Sequence, residues 1–328
     1  MTTEFGPLGF GAASIGNLYR VVSDETAHAA MEAAWEGGIR YFDTAPHYGL
    51  GLSERRLGAF LRGKPREQYL LSTKVGRLLK PNPAFSGGRD LKAHFHVPDD
   101  LVRRFDPTLP GVRRSLEDSF ERMGIDRIDI AYLHDPDVYD LDKGLREGLP
   151  ALAALRDEGL VDAIGVGVND AGVAARAIAE GDLDVVMVAG RYTLLEQVAA
   201  AELLPLAAER SVRIVAAAPF NSGLLANPDP AWGATYNYAE ASAAVLDRAA
   251  ALAQTCAEFG VELPTAALQF PLRHPAVATV VVGTANPRSV TQNATRAAEF
   301  IPDELWVTLS ARGLIHDPIV GEPTFRAK

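Results

Sequence analysis

Two kinds of segment alternate from one end of the chain to the other. The first is short, almost continuously apolar and bounded by Gly, Asp or Pro. It recurs eight times, at residues 8–13, 41–45, 70–75, 128–134, 163–168, 185–189, 214–219 and 279–283. Such runs suit parallel strands covered on both faces. The second kind is longer and carries apolar residues three and four apart, as a helix with one buried face requires. It occupies residues 23–36, 107–123, 145–158, 170–180, 197–209, 239–259 and 288–298. In the first of these the apolar stripe is Ala27, Ala30, Met31, Ala34 and Trp35, with His28 and Glu32 off it. Ser23 and Asp24 give it a start signal and Gly37-Gly38 a stop.

Strand–helix alternation of this kind predicts a parallel sheet joined by right-handed crossovers. Eight strands close into a barrel that takes about 250 residues plus insertions. The predicted fold for this chain of 328 residues is therefore a (β/α)8 TIM barrel with extended C-terminal-face loops, one domain over residues 1–328. An open dinucleotide-binding sheet would carry Gly-x-Gly-x-x-Gly at a strand–helix turn, and Gly9-Phe-Gly11-Ala-Ala-Ser14 lacks the third glycine. One stretch breaks the rhythm. Residues 80–106, rich in Pro, Gly and charge, are too long for an ordinary connection. They are read as an inserted rim loop that covers the substrate, offering Phe85, Arg89, His94, Phe95, His96, Asp99 and Asp100. Trp232 and Tyr236 join from another rim loop.

Composition mainly excludes. There are 32 basic against 42 acidic residues, a formal net charge of −10, with no basic face for nucleic acid. The pairs Arg103-Arg104 and Arg113-Arg114 sit near acids and read as solvated surface. The single cysteine, Cys256, forbids an intrachain disulfide and any metal site built on thiolate pairs. No apolar run reaches the roughly 18 residues that span a bilayer. Residues 1–7 show no signal-peptide pattern. The expectation is a cytoplasmic protein with a small-molecule substrate, no metal, no membrane or nucleic-acid partner, and an oligomeric state left open.

At the C-terminal ends of barrel strands, where barrel enzymes place their chemistry, four polar residues stand out: Asp43, Tyr48, Lys74 and His134. An unpaired buried ammonium is costly, so Lys74 calls for an acid, and Asp43 one strand away can supply it. An ammonium beside a phenol is expected to lower the phenol's pKa. His134 can orient a substrate oxygen or relay a proton. With no strong nucleophile in the set, the chemistry implied is proton transfer coupled to another step, such as hydride transfer with a nicotinamide.

Longer motifs contain these residues: Gly9-Phe-Gly11, Ile39-Arg-Tyr-Phe-Asp43-Thr-Ala-Pro-His-Tyr48-Gly, Ser53-Glu54 opening a helix, Ser72-Thr-Lys74-Val, Asp126-Arg-Ile-Asp129-Ile-Ala-Tyr-Leu-His134, Gly165-Val-Gly-Val-Asn169 and Val281-Val-Gly283-Thr. In order, spacing and strand position the chain resembles the aldo-keto reductases over nearly its full length. The resemblance implies an Asp/Tyr/Lys/His tetrad on Asp43, Tyr48, Lys74 and His134. It also implies NAD(P) bound at the rim near Gly11 and Ala12, with Asn169 on the carboxamide and Tyr192 stacked on the nicotinamide. Pro219, Asn221 and Gly223 then run over the pyrophosphate, and Gly283, Thr284, Arg288, Gln292 and Asn293 surround the adenosine. Two places depart from the family's pattern: Val168 replaces a usual serine and Ala189 a glutamine. A 2′-phosphate calls for Lys or forked Arg donors, and residues 284–286 supply none, leaving Arg288 alone. NAD is the expected cofactor, with NADP possible.

Residues 11–18 and 189–196 resemble most the branch whose members oxidise a cyclic hemiacetal to a lactone. The expected substrate is an aldose such as L-fucose or D-arabinose, attacked at C1. Pyridoxal, giving 4-pyridoxolactone, is the alternative, followed by a general aldehyde or ketone reductase. Outside the enzymes stands a nucleotide-sensing regulatory subunit.

Overall fold

The computed structural model describes residues 4–230, 235–236 and 239–316. Trp232 lies outside these residues. The eight apolar segments form a closed parallel barrel of β1 (Leu8–Gly11), β2 (Tyr41–Asp43), β3 (Leu70–Val75), β4 (Ile130–His134), β5 (Ala163–Val168), β6 (Val185–Ala189), β7 (Arg213–Ala217) and β8 (Val277–Val282). Each strand pairs with its neighbours in sequence, and β8 closes on β1 through Leu8↔Val280, Gly9↔Val281 and Phe10↔Val282. Successive side chains of a strand face opposite sides. Tyr41, Leu70, Ile130, Tyr132, Val185, Met187, Val215 and Val281 therefore fill the barrel, with Phe5 edge-on to Tyr41 at 4.9 Å. The alternate residues, among them Leu71, Leu133, Val166 and Val186, pack outward on Leu57, Leu116 and Leu152 of the helices.

Helix starts follow the capping signals. Ser23 accepts from the Thr26 N–H ahead of Asp24–Glu36, and Thr108 does the same for Leu109–Met123, which ends on left-handed Gly124. The helical run expected over residues 145–158 opens earlier, at Leu141–Lys143, passes through a π turn, Gly144–Gly148, next to Pro150, which lacks an N–H, and continues as Leu149–Asp157. Two predicted helices are shorter than their apolar patterns. Residues 197–209 divide into a 3-10 turn, Val198–Ala200, and Leu203–Glu209. The helix expected from residue 239 starts at Ala243, where Ser242 caps it. Helices Leu263–Gln269 and Asp303–Ala311 lie outside the predicted set.

The rim insertion opens earlier than expected. Arg77–Pro81 and Leu101–Phe105 pair as an antiparallel hairpin, so the lobe begins two residues after β3. Its far end is tied to the loop after β1 by Tyr19 N–H to His94 O (2.8 Å) and His96 N–H to Asn17 O (2.9 Å). Among the described residues no helix is long and apolar enough to cross a membrane.

Candidate active site

Side chains on the inner faces of β2, β3 and β4 stack in two polar levels. In the upper one, Lys74 Nζ donates to Asp43 Oδ2 at 2.6 Å and to the Thr44 carbonyl at 3.1 Å. In the lower one, Ser72 Oγ donates to Asp43 Oδ1 at 2.7 Å and meets Tyr41 OH at 3.0 Å, which in turn meets Tyr132 OH at 3.1 Å. Asp43 is thus held on both oxygens. The space for this stack comes from β5. A Cβ on Gly167 would lie 3.3 Å from Lys74 Cε, and one on Gly165 would lie 3.3 Å from Tyr132 Cδ1.

Tyr48 follows β2 in a turn closed by Gly49, whose φ of +62° favours glycine. A Cβ there would also strike Gly16 O at 2.2 Å, so the loop after β1 braces the turn. The turn brings Tyr48 over Lys74, whose ammonium is 4.7 Å from the ring centroid. His134 meets the Tyr48 ring edge-on at 5.9 Å. Phe95 of the lobe, buried, lies 6.2 Å from the same ring. Asp43, Tyr48, Lys74 and His134 are therefore together, as the sequence predicts.

Their protonation follows from burial and charge. Burial opposes the Lys74 ammonium, but Asp43 and then Tyr48 outweigh it, and its pKa is raised. Burial pushes the Tyr48 phenol up; Lys74 pulls it down and Asp43 pushes it up again, with a raised pKa as the result. The ammonium does lower the pKa, as expected, but the net shift is upward because desolvation of the phenolate is the larger effect. Burial, with Arg77, Lys74, His47 and Arg103 around it, holds His134 well below the usual imidazole value. Its ring is neutral across the physiological range.

Several site residues carried no signal in the sequence. Asp135, at φ +39°, takes Arg77 Nη2 at 2.6 Å and lies 3.3 Å from His134 Nε2, while its other oxygen accepts from Asn169 Nδ2 at 3.2 Å. It links the base of the lobe to His134 and to Asn169. Arg103, expected on the solvated surface, is instead held by Asp90 at 2.5 Å and donates to the His47 carbonyl at 2.9 Å. The hairpin turns it inward against the site. Arg113 and Arg114 do pair with surface acids, Glu158 and Asp118, both at 2.6 Å.

The residues read as cofactor contacts separate into two groups. Gly11, Asn169, Pro219, Asn221, Gly223, Gly283, Thr284, Arg288, Gln292 and Asn293 lie at or beyond the C-terminal ends of β1, β5, β7 and β8. After β7 the chain turns through left-handed Ala218, Asn221, Ser222 and Gly223. Asn221 there is buried, and neither its side-chain oxygen nor its nitrogen has a hydrogen-bond partner. An amide orphaned on both atoms is penalised, and a dinucleotide lying along this turn would satisfy it. Gly283 passes Gly11 so closely that a Cβ would sit 3.2 Å from its carbonyl. Asn286 caps helix Pro287–Ala298, whose N-terminus favours anions. These features fit a dinucleotide. Two expected contacts do not face the site. Ala12 is fully buried, its N–H on Asp43 O and its carbonyl on Ser53 Oγ. Tyr192 is 1% exposed and packs on Phe270 at 5.3 Å, leaving no open ring face for a nicotinamide. Tyr236 reaches Glu196, which also pairs with Arg191.

A family model described as the Aldo/keto reductase family matches residues 7–310. The chain is 53% identical over 312 residues to D-threo-aldose 1-dehydrogenase of Pseudomonas sp, covering 95% of each. It is 41% identical over 325 residues to pyridoxal 4-dehydrogenase of Microbacterium luteolum, covering 94% of each. Among solved structures, an aldo-keto reductase of Bacillus halodurans in its holo form matches with a TM-score of 0.75 at 25% identity, over 96% of this chain and 94% of that one. The family match runs through all eight barrel strands, and the chain belongs to the aldo/keto reductase family as an NAD(P)-dependent oxidoreductase.

Proposed function

We propose that this protein oxidises a cyclic hemiacetal, an aldose at C1, to its lactone with NAD as the preferred cofactor. The observation that carries this reading is the 53% identity, over 95% of both chains, to a relative named D-threo-aldose 1-dehydrogenase. The relative named pyridoxal 4-dehydrogenase, at 41% identity, favours pyridoxal as a second reading.

In this reading Tyr48, as phenolate, takes the proton of the hemiacetal hydroxyl while the C–H of the same carbon leaves as hydride and the lactone C=O forms. A bound nicotinamide supplies the hydride acceptor. Lys74 stays charged and stabilises the phenolate, and Asp43 fixes Lys74. Neutral His134 orients the reacting oxygen. Asn169 would hold the carboxamide, Pro219, Asn221 and Gly223 the pyrophosphate, and Gly283, Thr284, Arg288, Gln292 and Asn293 the adenosine, with Gly11 beneath. Arg288 alone is cationic among residues 283–293, which favours NAD over NADP. The chain works as one barrel domain, with the lobe opened by the Arg77–Pro81 and Leu101–Phe105 hairpin as its rim insertion. Its one thiol, Cys256, is buried and free, which suits a cytoplasmic location.

The test is NADH or NADPH formation with L-fucose, D-arabinose, D-galactose and pyridoxal supplied separately. Turnover of an aldose with NAD at least about tenfold above NADP in kcat/KM, roughly 1.4 kcal/mol, is expected. Turnover of pyridoxal alone selects the second reading, and a tenfold NADP preference overturns the cofactor assignment.

A further inference from the structure

His47 immediately precedes Tyr48 and is fixed on several sides. Its ring meets His134 edge-on at 5.4 Å, Tyr48 at 6.0 Å and Phe95 at 5.3 Å. Its carbonyl accepts from Arg103, itself clamped by Asp90 at 2.5 Å. Nδ1 is buried without a hydrogen-bond partner, and no side-chain hydrogen bond ties the imidazole to another described residue. Burial, then Arg103, Arg77 and Lys74, push its pKa down to about 2, so the ring is neutral. A polar group left unpaired inside a protein costs stability, and this one adjoins the two side chains that face the reacting oxygen.

A neutral imidazole has one donor and one acceptor nitrogen. A hydroxyl offers both complements on one atom; a carbonyl offers only an acceptor, and an alkyl group neither. We propose that His47 is a specificity-determining residue that hydrogen-bonds the hydroxyl on the carbon next to the reacting one. The proposal rests on the placement of the reacting carbon at Tyr48 and His134 given above. It makes the polyol character of the substrate, rather than its carbonyl carbon alone, what this rim reads.

The test compares the full-length wild type with His47→Phe, which removes both nitrogens, and His47→Asn, which keeps a donor and an acceptor. Two substrate pairs each differ by one hydroxyl: D-arabinose against 2-deoxy-D-ribose in oxidation, and glycolaldehyde against acetaldehyde in reduction with NADH. The wild type is expected to favour the hydroxylated member by roughly tenfold or more in kcat/KM. In His47→Phe that preference should fall to within about twofold of unity, with His47→Asn between. If His47→Phe does not fold, His47→Ala serves in its place. Equal losses on both members of a pair, a preference unchanged by either variant, or a wild type with no preference overturns the proposal. If aldoses are not turned over while glycolaldehyde is, the hemiacetal reading fails and the small aldehydes alone decide the role of His47.

Discussion

Lys74 Nζ lies 2.6 Å from Asp43 Oδ2, and each side chain is only 3% exposed. A buried pair of this kind is costly to break from one side, since the survivor is left charged without a partner. In Asp43→Asn, Lys74 should lose its raised pKa and no longer hold a phenolate on Tyr48. Because proton transfer by a positioned group contributes about 10²–10⁴-fold, kcat is expected to fall by about a hundredfold or more, with nucleotide affinity changed by only a few fold. A kcat within fivefold of wild type would remove Asp43 from the machinery.

Ser72 supports the same carboxylate from below, 2.7 Å from Asp43 Oδ1 and 3.0 Å from Tyr41 OH. Ser72→Ala strips a hydrogen bond from a buried charged group, a loss of about 1–2 kcal/mol shared between stability and kcat. Urea denaturation and steady-state kinetics measure the two shares. If neither changes, the lower polar level is only filling.

The pH dependence follows from Tyr48 and His134. Burial raises the phenol's pKa beyond what Lys74 pulls back, so at neutral pH Tyr48 carries its proton. Oxidation needs the deprotonated form and should climb as pH rises through the alkaline range toward that raised pKa. Reduction needs the phenol, so it should stay level through neutrality and decline only at alkaline pH. His134 is depressed well below the usual imidazole range, so neither profile should break between pH 6 and 7. A break there, abolished in His134→Gln, would contradict the neutral ring.

Glu54 is fully buried, receiving Arg122 Nε at 2.5 Å and Thr73 Oγ1 at 3.0 Å. It ties helix Leu52–Leu61 to helix Leu109–Met123 and to the outer face of β3, beside Lys74. Glu54→Gln should cost about 2 kcal/mol, less than a fully dry pair because Arg122 keeps some contact with water. A lowered urea midpoint at unchanged slope reads this out. An unchanged midpoint would mean that Arg122 finds another partner.

Asp43, Lys74 and His134 were legible because barrel chemistry sits at strand ends, and Tyr48 because it follows one within five residues. Asp135 and Arg77 were not, because each acts through a partner on another strand or loop, and Ser72 was visible only as part of the Ser72-Thr-Lys74-Val motif. The apolar run 163–168 marks a strand, but only the structure shows that a Cβ on Gly167 would crowd Lys74 Cε at 3.3 Å. Arg103 misled because its inward turn depends on a hairpin whose strands, Arg77–Pro81 and Leu101–Phe105, show no clear alternation. Tyr192 has the sequence context of a cofactor contact, yet Phe270, nearly eighty residues later, seals its ring. The sign of the Tyr48 shift depends on burial against charge, and burial is a property of the fold.

In the proposed reaction Tyr48 abstracts a hemiacetal proton while hydride passes to the nicotinamide. Identifying the compound formed alongside NADH, by NMR of a single turnover with D-arabinose, tests it most directly. The C1 lactone should form in equal amount to NADH with the wild type and be lost in Tyr48→Phe. NADH formation without the lactone, or a Tyr48→Phe variant within a few fold of wild type, would contradict it.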